Sequence, residues 1–221
     1  MISNAVGPGA ALVGVLPGMQ GMGVWMGRRQ LFVRFAGEAE TAVMYSAAAL
    51  AEELRRLHAR ATFHSIALTG RDPLGNVECL QAALADADLP LPVLAESDGQ
   101  RPDEVRELAP RLKMLQICTD GTAGAAMLGR FYGTIGVAVE CGLEHALVLE
   151  PGEQTTDAQL LRLIEQTHAV SENIAMIIHP EEPAGGGTLD LRWSQLLAQA
   201  AELHDDVRIL RRLLLPGDMR R

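Results

Sequence analysis

Short runs of β-branched and apolar residues alternate along the chain with longer stretches in which apolar positions recur every three or four residues. The short runs predict strands at Leu31–Phe35, Ser65–Leu68, Leu91–Ala95, Met114–Cys118, Ala146–Leu149, Ile174–Ile178 and Val207–Leu210. Between them, Ala47, Leu50, Ala51, Leu54 and Leu57 form one apolar helical stripe with Arg55 and Arg56 turned outward. Thr156 and Gln159 have the spacing of a capping box that opens a helix striped by Leu160, Leu163, Ile164 and His168. Pro102 followed by Asp103 and Glu104 suits a first helical turn, where a missing N–H costs nothing and acids complement the dipole.

Repeated β–α units imply parallel strands joined by right-handed crossovers, so the fold class is α/β. Six or seven strands are too few for a closed eight-stranded barrel, which leaves a partial barrel or a doubly wound sheet. In both, function belongs at the carboxyl ends of the strands. The residues to read there are 37–46, 69–73, 96–99, 119–124, Glu150 and 179–187. No linker or fixed-period repeat interrupts the 221 residues, so a single domain is expected over 1–221. Residues 1–14 read as an N-terminal arm or a first edge strand, residues 218–221 as a frayed tail, and Ala184–Gly187 as a flexible turn. Gly18–Gly27 reads as a glycine-rich loop whose Met19, Met22, Trp25 and Met26 either cover the sheet from within or form a partner surface.

Composition narrows the function. Nineteen basic against twenty-eight acidic residues give a net charge of −9, which argues against nucleic acid and anionic membranes as partners. Every apolar run is interrupted before the ~18–20 residues of a membrane span, and no basic segment opens a signal peptide, so a cytoplasmic location is expected. Cys79, Cys118 and Cys141 are an odd number on three separate segments, which fits a reducing compartment and forms neither a disulfide framework nor a local metal motif.

Three segments, in order, resemble a known family. Gln20–Gly37 (QGMGVWMGRRQLFVRFAG) is similar to the QGEGxxxGxRxxFVRxxG opening of the 7-carboxy-7-deazaguanine synthases, which are radical S-adenosylmethionine enzymes. Leu68–Leu74 (LTGRDPL) is similar to their TGGEPL, and Leu91–Gly99 (LPVLAESDG) to their LPVxLETNG. The resemblance runs from about Leu12 to Gly217. It implies a contracted partial (β/α) barrel of about six parallel strands and, by analogy, a homodimer or a heteromer with another subunit.

The departures bear on chemistry. Where the family places CxxxCxxC to hold a [4Fe–4S] cluster, this chain has Glu38, Ala42 and Tyr45. A hard carboxylate, a methyl group and a phenol do not replace three soft thiolates, so neither the cluster nor radical chemistry of the family type is expected. S-adenosylmethionine, chelated in the family by the cluster's free iron, would bind far less well. The family's Asp-Thr after the third cysteine is Ser46-Ala47, the acid of QGEG is Met22, DxK is Gln116 and Cys118, and PQxH falls at Arg211, Arg212 and Leu214.

The resemblance carries over a ligand-binding remnant at Gln20, Arg29, Gly70, Asp72, Glu96 and Ser97, with Pro73 and Gly99 also matching. Each also has a plain structural reading. Gly70–Pro73 serves as a strand-to-helix turn, Glu96 and Asp98 as a solvated loop, and one of Arg28 and Arg29 as a surface charge. The candidates for catalysis are His179, Asp72 and Glu96, with Asp120 and Glu150 around the same mouth. The other histidines, His58, His64, His145, His168 and His204, form no H-x-x-x-H pair. Two functions follow. One is a pseudoenzyme acting as a binding or partner subunit, paired with a biosynthetic enzyme or holding a purine- or pterin-like ligand. The other is a cluster-independent enzyme using His179 for acid–base or metal-dependent chemistry.

Overall fold

The computed structural model describes residues 8–122, 124–181 and 191–213. The seven predicted strands are all present, as β2 (Arg29–Phe35), β4 (Ser65–Gly70), β5 (Val93–Ser97), β6 (Met114–Thr119), β7 (Glu144–Leu149), β8 (Ala175–Ile178) and β9 (Val207–Ile209). Two more precede or interleave with them, β1 (Gly9–Met19) and β3 (Val43–Ser46). All nine form one sheet in the order β3-β1-β2-β4-β5-β6-β7-β8-β9, and the sheet is not closed. β1 runs antiparallel to both its neighbours, and every pairing from β2 to β9 is parallel. The parallel set therefore contains seven strands among the described residues, against about six expected.

The parallel strands follow chain order without reversal. Right-handed crossovers must then fall on one side, and no switch point of a doubly wound sheet arises. The helices are α1 (Ala47–His58), α2 (Val77–Ala87), α3 (Pro102–Leu108), α4 (Ala125–Glu140), α5 (Asp157–Val170) and α6 (Leu191–Ala201). Each packs against the next, forming a single layer. The main core lies between this layer and the sheet, where Leu31, Val33, Phe35, Ile66, Leu68, Ala95, Leu115, Leu147 and Ile178 meet Leu50, Leu54, Leu80, Leu108, Ile135, Leu160 and Leu196. Alternation sends the intervening strand residues to the opposite face, which is helix-free among the described residues.

The local signals explain the helix starts. Ser46 accepts the Ala49 N–H at 3.2 Å and caps α1, whose Leu50, Ala51 and Leu54 are buried. Thr156 and Gln159 form the complete reciprocal capping box of α5. Pro102 opens α3 with Asp103 and Glu104 in its first turn.

The amino-terminal expectation needs correction. Residues 9–19 form a strand and not an arm; β3 pairs with Gly9–Leu12 on one side and β2 with Leu12–Met19 on the other, so β1 is open on its outer side only beyond Leu12. β3 is the edge. Pro17 is tolerated because it falls in the half of β1 that β3 does not reach. Gly18 and Met19 end β1 and do not belong to the loop that follows. The remainder of the arm, the Ala184–Gly187 turn and the tail lie outside the described residues. Among the described residues no helix is long and apolar enough to cross a membrane.

Candidate functional site

Strand register lays two rows of side chains across the helix-free face. Phe32, Ala67, Leu94 and Met114 stand side by side on β2, β4, β5 and β6. This apolar row, with Ala146 and Ala175, is covered by Val24 and Trp25. One pleat toward the carboxyl ends lies a polar row of Arg34, Thr69, Glu96 and Gln116. The Glu96 carboxylate accepts from Gln20 Nε2 at 3.0 Å and from the Thr69 hydroxyl, and Arg34 pairs with Glu40. Gln20 and Gln116 are fully buried, and the side-chain oxygen of each has no hydrogen-bond partner among the described residues.

The segment that covers these rows is Gln20–Arg28. It closes on itself through Gln20 N–H to Arg28 O at 2.9 Å and Gly27 N–H to Gln20 O at 2.8 Å. Met22 is 1% exposed, so it fills the interior instead of presenting a partner surface; Met19 stays 40% exposed. Gly23 has a φ of 76°, and a Cβ there would sit 1.8 Å from Gln116 Oε1, so only glycine lets the loop reach that floor. A second segment, Leu210–Leu213, crosses the loop: Leu213 N–H donates to Gly21 O at 2.9 Å, and Arg212 reaches Met22 Sδ at 3.7 Å and pairs with Glu150.

His179 ties both segments down. It is 2% exposed and follows β8, its backbone N–H bonded to Leu149 O at 2.8 Å. Its Nε2 accepts the Gly23 N–H at 3.0 Å, and its Nδ1 lies 2.7 Å from Leu210 O. An amide N–H can only donate and a carbonyl can only accept, so these two contacts are the ones an Nδ1–H tautomer makes.

The other predicted site residues are dispersed. Asp72 has a left-handed φ of 47°, and its carboxylate is held bidentately by Arg101, which also binds Glu104 at 2.8 Å. These two carboxylates push the Arg101 guanidinium well above its ordinary value. Gly70, at φ 93°, brings its backbone so close to β2 that a Cβ would lie 2.3 Å from Phe35 O; its role is backbone geometry. Ser97 accepts the Gly99 N–H at 3.0 Å and shapes that turn. Arg29 begins β2 at the amino end of the sheet, its guanidinium 4.9 Å above the Phe63 ring. The structure thus joins Gln20 to Glu96, and leaves Arg29 at the end of the sheet opposite to Asp72 and His179. Thr69 on Glu96, Arg101 on Asp72 and Arg212 on Glu150 are separate partners that register and long-range pairing, which single-sequence patterns do not encode, reveal.

The positions that resemble the cluster motif do not provide its donor set. Glu38 and Ala42 are exposed, while Tyr45 sits on β3, opposite Ala10 of β1, and packs on the main core. Cys79 is buried on α2, where burial pushes its thiol above the ordinary range; Cys118 lies on β6, one residue before its end, and Cys141 follows α4. Among the described residues no group of three or more His, Cys, Asp or Glu side chains is arranged to hold a metal ion. These residues do not fit a [4Fe–4S] cluster.

The chain is 31% identical over 114 residues to the 7-carboxy-7-deazaguanine synthase of Methanothermobacter thermautotrophicus. The relationship is distant. The match covers 45% of this chain and spans 45% of the length of that relative. No protein-family model matches. Among solved structures, the apo form of 3-keto-D-glucoside 4-epimerase, YcjR, from E. coli is similar at a TM-score of 0.35 and 15% identity, covering 76% of this chain and 89% of that one. A likeness that slight says nothing about chemistry.

Proposed function

We propose that this chain is a radical-S-adenosylmethionine-like pseudoenzyme, a partial barrel that works by binding. It serves as a partner subunit, in a homodimer or with a biosynthetic enzyme, or it holds a purine- or pterin-like ligand. Glu38, Ala42 and Tyr45 in place of the three thiolates carry this reading. It is supported by the distant relationship and by the seven parallel strands in chain order with the described helices in one layer. With no iron to chelate the methionine end, S-adenosylmethionine would be held poorly if at all, and the acidic, cysteine-poor chain suits the cytoplasm.

The competing reading is acid–base or metal-dependent catalysis at His179. Against it stand the commitments of its members: Asp72 to Arg101, Glu150 to Arg212, and both His179 ring nitrogens to the backbone.

Iron and sulfide analysis after anaerobic reconstitution tests the proposal. We expect well under one iron per chain and no 5′-deoxyadenosine from S-adenosylmethionine and reductant. A brown protein with about four irons per chain would end it.

A further inference from the structure

We propose that β3 is a docking edge for a second copy of this chain, the two β3 strands pairing antiparallel about a two-fold axis beside Met44. The nine-stranded sheet then continues into its copy. This names the surface for the homodimer in the proposed function, and it rests on that reading only for its biological role.

The edge is open and unguarded. Among the described residues no strand pairs with β3 on the side away from β1. Val43 is 54% exposed and Met44 71% exposed. Edge strands usually carry a charge, a proline or a bulge that blocks further pairing; Val43–Ser46 has no charge or proline, and its register with β1 is unbroken.

Register fixes which groups meet. Pro8 O accepts the Ala47 N–H at 3.2 Å, whereas Ala11 O accepts the Ala36 N–H at 3.0 Å on the other side of β1. Backbone groups alternate sides along a strand, so Ala10 and Leu12 bond toward β3 and Ala11 does not. Their partners Tyr45 and Val43 therefore face β1, while Met44, opposite Ala11, turns its N–H and C=O outward. Antiparallel pairing on Met44 makes two reciprocal bonds between the copies. It also sets each Ser46 N–H against the other copy's Ala42 carbonyl.

The side chains agree with this register. Tyr45 packs on the main core, so Val43, two residues away, shares its face and Met44 takes the other. Each Val43 then lies beside the second copy's Tyr45, and the two Met44 side chains meet across the axis. The rotation brings exposed Glu38 toward the amino end of the second copy's α1, whose first turn holds no acid. A second copy supplies each of these complements by symmetry, with nothing further to match. A contact built on four residues a side falls short of the roughly 1,200 Å² of a standard stable interface, so the association is weak and concentration-dependent.

Sedimentation equilibrium of the full chain, from micromolar to sub-millimolar concentration, tests the pairing. The parent should dimerise reversibly. Met44→Lys sets like charges across the axis and should weaken association about tenfold or more, as should Met44→Glu. Both should keep the parent's circular dichroism, because Met44 is mostly exposed. An equal mixture of the two variants should associate again, an outcome expected only of a position that meets itself. A parent chain that stays monomeric overturns the proposal, whether residues 1–7 or another protein covers the edge. So does a dimer indifferent to both substitutions, or a mixture that stays dissociated. Should either variant misfold, hydrogen exchange of the parent replaces it: the Met44 and Ser46 amides should gain protection with concentration, and unchanged protection overturns the pairing. A cluster found on reconstitution would end the pseudoenzyme reading and leave these outcomes untouched, while a monomeric chain would leave that reading its other partners and its ligand.

Discussion

Burial, with the Arg28 guanidinium as the lesser cause, pushes the His64 imidazole below its ordinary value of about 6.5. His64 sits beside the loop, its ring 4.9 Å from Trp25 edge-on and its Nδ1 3.0 Å from Ser65 Oγ. The sign of the consequence follows from linkage. The unfolded chain takes up this proton more readily than the folded one, so stability falls as pH drops through about 6.5 and levels off below the folded value. Denaturant unfolding at pH 7.5 and 5.0 should show a smaller acid loss in His64→Gln than in the parent, with the two agreeing at pH 7.5 apart from a constant offset. An identical acid loss in both would mean that His64 does not feel its surroundings.

At the scale of elements, α4 invites a direct measurement. Gly129, Gly133 and Gly136 recur within this sixteen-residue helix, and an added Cβ at each would meet nothing within 4 Å. A glycine in a helix interior costs about 0.5–1 kcal/mol relative to alanine, so Gly133→Ala should raise unfolding stability by about that amount. Thermal or urea melts read it, and a destabilised variant would show that the space beside α4 is filled in solution. The helices and parallel strands were legible because their periods, 3.6 and near-continuous apolar runs, are local properties of residues such as Leu50–Leu54 and Ala146–Leu149. β1 and β3 were not. β1 is diluted by Gly9, Gly14, Pro17 and Gly18, and the four residues of β3 are extended because β1 offers them a partner, a long-range cause that no short window contains. The site was legible only in part for the same reason. Gln20 and Glu96 stood out through motif resemblance, whereas Thr69, Gln116, Arg101 and Arg212 gain their roles from register and from pairing across 27 to 190 positions of sequence.

At the scale of the whole molecule, one layer of helices leaves the opposite face of the sheet for the chain itself to cover, and among the described residues it does so with two segments, Gln20–Arg28 and Leu210–Leu213. Residues 20–27 of the loop carry no charge with which to hold their place; the crossing segment supplies the Arg212–Glu150 pair, the Met22 contact and the Leu213–Gly21 bond. Ending the chain after Arg211 removes all three while sparing the register of β8 with β9 through Met176–Val207, Ile177–Arg208 and Ile178–Ile209. The sheet should therefore persist, with far-ultraviolet circular dichroism unchanged. The loop should loosen, and with Trp193→Phe making Trp25 the sole indole, its emission should shift to the red while an apolar dye gains a site on the Phe32–Ala67–Leu94–Met114 row. Unaltered emission in the shortened chain would mean that packing of Val24 and Trp25 seats the loop unaided. Glu150 then decides between charge and covering: Glu150→Gln in the full chain should reproduce part of the red shift if the ion pair holds the segment, and none of it if the Leu213–Gly21 bond suffices.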